Sequence, residues 1–228
     1  MLTTNQMTEL ALTYEKEFSL NEYNGNILSA SSCAVKIGSI PVLLSVPHTT
    51  NHSRNNKIKF ADIHTGSIGH ILQSLTNCHL IYTTRISDKD PNYDEECTYK
   101  QLLSTIITSY DIQIVLDIHG AALHREFDID IGTNHHQAID VHTVQTLQTF
   151  FHKHHIEDVR IDDTFKATHD GTITSYVHRL HGIHAAQLEI NSRLRNPATS
   201  VTEYQKIIAS LRDIILFFSK GDTMSCKL

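Results

Sequence analysis

The chain has 228 residues, 40% of them apolar and only four of them proline, which suits one folded domain spanning residues 1–228 with a core that needs no staples. A formal net charge of −6 leaves no basic footprint, so nucleic acid is not expected as a main partner. Seventeen histidines are the compositional outlier, and many of them sit singly in polar segments where solvation explains them.

Residues 1–25 are polar and weakly periodic, with a short helix expected over Glu9–Phe18. Asn24-Gly25 signals a turn, after which Asn26–Ala30 and Ala34–Ile37 suggest a hairpin. Val42–Val46 is the first clear buried strand, and it stops at Pro47-His48 because proline cannot extend a central strand. Residues 49–59 look like an exposed polar loop, and an amphipathic helix is expected from Asp62, with Ile68, Ile71, Leu72 and Leu75 on one face. His79–Tyr82 is a short strand, and the polar loop Thr83–Glu96 carries a turn at Lys89-Asp90-Pro91-Asn92.

Leu102, Leu103, Ile106, Ile107 and Tyr110 mark the next helix. Ile112–Ile118 is a strand ending at His119-Gly120, and Phe127–Ile131 alternates as a half-buried strand. Val144, Leu147, Phe150 and Phe151 give a further helix, Gly171–Leu180 a short one, and Ile183–Ile190 a strand. The last helix, Val201 to Phe218, has the clearest apolar stripe. Strands alternating with helices predict an α/β class chain: a three-layer α/β/α sandwich around a mostly parallel or mixed central sheet.

Cys33, Cys78, Cys97 and Cys226 are scattered without a CxxC pair, as free thiols of a reducing compartment are. The N-terminal residues lack a basic stretch followed by an apolar one, and no apolar run reaches membrane-spanning length. A cytoplasmic protein with no membrane partner is expected.

Two strands end alike, LLSVPH at His48 and IVLDIHG at His119, and a third, AAQLEIN, buries Glu189 in an apolar run. A carboxylate there is costly unless it is paired or faces a metal. Two histidines and a carboxylate at strand and helix ends suit a catalytic Zn2+ site, which takes three protein ligands and leaves a position for water. His48, Asp62 and His119 are the expected ligands, with Glu189 as general base. Asp62 competes with an alternative role as a helix-start acid, and His64 is its rival as third ligand. Asp117 shares a strand face with His119 and could support it from behind. His135-His136 and His154-His155 are expected to be solvated.

The sequence resembles the N-formylglutamate amidohydrolases, zinc hydrolases related in fold to zinc carboxypeptidases and muramoyl-alanine amidases. SVPHTT at 45–50, ADIHT at 61–65, VLDIHG at 115–120, DIDIGT at 128–133 and GTITSYVHRLHGIHAAQLEIN at 171–191 carry the resemblance. It implies a zinc carboxypeptidase-like fold and cleavage of an amide bond in a small N-acylated amino acid. His48 and His119 fall at the family's histidine ligands, Asp62 where the amidases place a glutamate, and Glu189 where the carboxypeptidases place their catalytic glutamate. The family also implies arginines that hold a small-molecule substrate's carboxylate. Arg85 is the candidate beside Glu189 in catalysis; Arg54, Arg193 and Asn191 are the candidates for substrate binding. Departures cluster around the substrate pocket: Thr49-Thr50 replaces the usual serine-glycine, and Leu194-Arg195-Asn196 follows QLEIN in place of the usual ending. A peptide or cell-wall amidase with the same site, and a catalytically silent ligand-binding relative, are the competing readings.

Overall fold

The apolar runs of the sequence become the centre of a seven-stranded mixed sheet in the computed structural model, which describes residues 3–220. In chain order the elements are α1 (Thr4–Tyr23), β1 (Cys33–Lys36), β2 (Val42–Val46), β3 (His52–Arg54), β4 (Lys57–Lys59), α2 (Thr65–Thr76), β5 (His79–Thr83) and α3 (Thr98–Ser109). They continue with β6 (Ile114–Ala121), β7 (Ile129–Gly132), α4 (Val141–Lys153), β8 (Val159–Ile161), α5 (Ile173–His181), β9 (His184–Asn191), α6 (Ser192–Arg195) and α7 (Val201–Phe218). The sheet order is β1-β5-β2-β6-β9-β7-β8, and the run β5-β2-β6-β9 is parallel throughout. β1 joins antiparallel at one edge, and β7 turns antiparallel to β9 before pairing with β8. Central parallel strands are buried on both faces, which is why they read as near-continuous apolar runs.

Side-chain parity along these strands decides where the polar residues go. Val42, Leu44, Val46, Ile114, Leu116, Ile118, Ala186, Leu188 and Ile190 face a large core closed by α1, α2, α4 and α7. Leu43, Val115 and Ala185 face a smaller core closed by α3 and α5. On that second face the same two-residue period carries Ser45, then Asp117 and His119, then Gln187 and Glu189. Buried polar groups therefore line the carboxyl ends of β2, β6 and β9 on one side of the sheet. That is where open α/β sheets collect their chemistry.

Several elements differ from the sequence expectations. α1 is longer than Glu9–Phe18, with a capping box at Thr3 and Gln6 and a break at Leu20–Glu22. The expected hairpin does not form: Cys33–Lys36 pairs with β5 at the sheet edge, and the stretch before it is turn. Residues 49–59 are not an exposed loop. Thr49, Thr50, Asn51 and His52 are buried and lead into the small β3–β4 hairpin. Their polarity misled because the partners are distant backbone groups: Thr49 donates to Thr83 O, and Asn51 donates to Glu22 O. α2 begins at Thr65, after His64 at its N-cap, so Asp62 lies in the preceding loop. β6 continues through His119 and Gly120 instead of stopping at Ile118. β8 has three residues, too few for a visible pattern. Among the described residues Cys33, Cys78 and Cys97 are free thiols, whereas Cys226 lies outside them. No described helix is long and apolar enough to cross a membrane.

Candidate metal centre and its cavity

Pro47 ends β2 and leaves His48 just beyond the strand, while β6 carries His119 near its carboxyl end. Asp62 reaches them because its backbone N–H donates to His48 O at 2.8 Å, pinning the loop before α2 to the end of β2. Three atoms converge as a result. His48 Nδ1 lies 3.1 Å from His119 Nδ1, and Asp62 Oδ2 lies 3.4 Å from the former and 3.5 Å from the latter.

The far nitrogens of both rings are committed to carboxylates. His48 Nε2 meets Asp90 Oδ1 at 2.8 Å and His119 Nε2 meets Asp117 Oδ2 at 2.8 Å. An ionised carboxylate only accepts, so each Nε2 carries a proton, and in the neutral rings that a metal would bind each Nδ1 presents a lone pair. Two imidazole lone pairs and a carboxylate oxygen facing one point call for a cation between them. Their spacings match the edges of about 3.4 Å expected for a tetrahedron with metal–ligand bonds of about 2.1 Å. Carboxylates behind ligating histidines are the usual means of holding ring and tautomer. The residues therefore fit a divalent metal ion, which His48, Asp62 and His119 could hold.

A second grouping, His48, His52 and Asp90, brings ligand-type atoms together on the other side of the same ring. His52 stacks on His48 with centroids 4.0 Å apart, and its Nε2 lies 3.3 Å from Asp90 Oδ2. Arg54 Nε already donates to that oxygen at 2.5 Å, so a cation there would face a guanidinium. Asp90 therefore suits an orienting role better than a ligand's.

The electrostatics follow from burial opposed by these partners. In the metal-free chain burial pulls the His48 and His119 imidazoles down. For His48, Asp90 and Asp62 outweigh it; for His119, Asp117 and Asp62 do, and both rings end above the ordinary histidine value. Burial would raise the Asp62 and Asp90 carboxyls, but the adjacent histidines hold both far below the usual range. Glu189 goes the other way. Burial pushes its carboxyl up to about 7 against the pull of His119. Its one side-chain hydrogen bond among the described residues is from Gln187 Nε2, at 3.0 Å.

These groups open into a cavity of about 650 Å³. His48, Asp62, His119 and Glu189 line its floor, with Arg54, Tyr93 and His169 on the wall and Ile58, Lys59 and Phe60 of the hairpin region at the rim. Arg54 lies over Tyr93 at 5.1 Å from the ring centroid, and Tyr93 stacks on His169. With Nε anchored on Asp90, the terminal nitrogens of Arg54 keep no hydrogen bond to the described residues.

Other predicted site residues are placed elsewhere. Arg85 donates to Ser29 O and Ile86 O and lines a separate cavity with Cys33 and Cys97, so a catalytic role beside Glu189 is not supported. Arg193 pairs with Asp128 at 2.7 Å. Asn191 is fully buried, donates to Arg125 O and Phe127 O, and caps α6, so it has no group free for substrate. His64 points away from the metal cluster, its Nδ1 lying 3.7 Å from Glu15 Oε2. Sequence reasoning missed Asp90, His52, Gln187 and Arg195. Gln187 was signalled by its two-residue spacing from Glu189, and Asp90 only by a turn pattern. Nothing local marks the other two.

Comparison of the sequence with protein-family models and with curated proteins finds no match. The fold does match solved structures. The chain is similar to a gene product of Agrobacterium tumefaciens (TM-score 0.62, 14% identity, 84% of this chain and 95% of that one). It is also similar to N-formylglutamate amidohydrolase from Ralstonia eutropha JMP134 (TM-score 0.59, 12% identity, 83% and 99%). A metallo-carboxypeptidase from Pseudomonas aeruginosa superposes with a TM-score of 0.51 at 11% identity, over 94% of this chain and 68% of that one. The chain thus has the metallo-carboxypeptidase-like α/β fold, as the sequence motifs implied.

Proposed function

We propose that this protein is a metal-dependent amidohydrolase that cleaves the amide bond of a small substrate bearing a carboxylate, of the N-acyl amino acid type. The observation that carries the reading is the convergence of His48 Nδ1, His119 Nδ1 and Asp62 Oδ2 in one cavity with a buried carboxylate, Glu189, that has no ion pair among the described residues.

A zinc-type ion bound there supplies Lewis acidity for a carbonyl and a water acidified to about neutral pKa. Asp90 and Asp117 keep each Nε2 protonated, so both Nδ1 atoms stay available as ligands. Glu189, with a carboxyl raised towards neutrality, takes a proton from the attacking water and delivers it to the leaving nitrogen. Arg54, fixed through Nε, offers its terminal nitrogens to the substrate carboxylate as a bidentate partner. Tyr93 and His169 stack behind it and hold the guanidinium plane. The N-formylglutamate amidohydrolase among the structural neighbours supports this substrate class.

Metal analysis of the purified protein, followed by hydrolysis assays on a series of N-acyl amino acids, tests the reading. About one equivalent of zinc and hydrolysis abolished by chelation are expected. A protein that binds zinc and the N-acyl amino acids without hydrolysing any of them would overturn it in favour of a ligand-binding role.

A further inference from the structure

Arg195 closes α6, one turn beyond β9, and its side chain is buried to 5% exposure without touching the cavity of Glu189. Its guanidinium reaches three backbone carbonyls. Nε donates to Ile190 O at 2.9 Å, Nη2 donates to Ala121 O at 3.1 Å, and Nη1 donates to Ile63 O. Ile190 follows Glu189, Ala121 lies two residues past His119, and Ile63 follows Asp62. One side chain thus joins the three segments that carry the base, a histidine ligand and the carboxylate ligand.

β6 and β9 are already joined by their ladder, in which His119 pairs in register with Glu189. The Asp62 segment lies outside the sheet. It is tied to the end of β2 through the Asp62 N–H, and among the described residues Arg195 joins its backbone to the β6–β9 side. We propose that Arg195 is a positioning residue, which sets the Asp62 carboxylate against His119 and thereby fixes the affinity of the metal site without touching metal or substrate. This rests on the metal reading given above.

The chemistry of the residue suits the task. A planar guanidinium presents donors in several fixed directions, whereas an ammonium is a compact point charge that cannot span three carbonyls in this way. Burial works against the charge and lowers the guanidinium's hold on its proton, and Asp62, Glu189 and Glu15 lie close enough to offset part of that cost. Gly120 completes the arrangement. A Cβ at position 120 would meet the guanidinium carbon at 2.5 Å, so the absence of a side chain between His119 and Ala121 lets the group lie against the strand. Three hydrogen bonds hold that guanidinium, so it cannot swing aside as a free side-chain end would.

The test is zinc affinity, measured by competition with a chromophoric chelator on metal-stripped protein, alongside thermal unfolding without metal. Arg195→Met and Gly120→Ala are expected to weaken zinc binding by roughly ten- to a hundredfold, the range for residues that orient ligands. Arg195→Lys should fall between these and the parent. Leu211→Ala, which removes a fully buried side chain of α7 in the large core, serves as a control: it lowers stability and leaves zinc affinity at the parent value. Parent-like zinc affinity in Arg195→Met overturns the inference. If that variant does not fold, parent-like affinity in Gly120→Ala or Arg195→Lys overturns it equally. A parent that binds no zinc overturns the metal reading and this inference together, whereas a zinc-binding parent with unchanged variants overturns this inference alone.

Discussion

His119 and Glu189 are register partners on the adjacent parallel strands β6 and β9, their side chains on the same face of the sheet. The base candidate is therefore placed against a proposed metal ligand by the main-chain ladder, and no mobile loop intervenes. Glu189→Gln keeps the shape and the Gln187 side of this pair but removes the proton acceptor. Turnover should fall by about 10²- to 10⁴-fold while zinc content stays at the parent value, checked by steady-state kinetics and metal analysis on the same preparation. Parent-level turnover would remove Glu189 from the base role.

The same carboxylate makes stability depend on pH in the metal-free protein. Its folded value of about 7 lies above the ordinary 4.5, so ionising it in the folded chain is penalised. The penalty is absent below about pH 4.5, grows as pH rises, and is complete above about 7. Each pH unit between the two values is worth about 1.4 kcal/mol, so Glu189→Gln should gain about 3 kcal/mol over the parent at pH 8 and little at pH 4. Urea titrations of both proteins in chelator at the two pH values measure the difference. A gain that is independent of pH would count against a buried, unpaired carboxylate.

Asp117 and Asp90 stand behind the two histidines in equivalent ways but differ in what else they hold. Asp117 also accepts from Ser45 Oγ at 2.8 Å, deep in the sheet. Asp90 also anchors Arg54. Asp117→Asn should weaken zinc binding about 10- to 100-fold and leave the KM of the zinc-saturated enzyme unchanged. Asp90→Asn should weaken zinc binding similarly and raise KM as well, because Arg54 loses its tether. Chelator competition and kinetics at saturating zinc separate the two effects.

Arg54 offers the cavity a guanidinium whose terminal nitrogens are not engaged by the described residues. A charge-assisted hydrogen bond of about 1.5–3 kcal/mol corresponds to roughly 10- to 100-fold in binding. Arg54→Met should raise KM for an N-acyl amino acid by that factor. The same variant should leave KM unchanged for the corresponding amide, which has no carboxylate to hold. Equal losses on both substrates would argue against carboxylate recognition by this residue.

Much of what repeats along the chain or stands at a boundary was legible in the sequence. Val42–Val46, His79–Tyr82, Ile112–Ile118 and Ile183–Ile190 announced buried parallel strands because both their faces are covered, and Val201 to Phe218 announced a helix by its stripe. Pro47 after β2 put a histidine at a strand end, and Glu189 within AAQLEIN stood out as a charge among apolar neighbours. How these were completed became visible only in three dimensions. Arg54, Arg85 and Arg193 look alike as isolated charges in polar segments, yet one lines the cavity, one donates to loop carbonyls and one pairs with Asp128. Asp90 shows only a turn pattern and Arg195 none, and neither reveals its role, because their partners are 42 residues away at His48 and as many as 132 away at Ile63. A periodic pattern records which side of an element faces the core. Which polar groups meet across the sheet is set by chain crossing, and no window of neighbouring residues contains it.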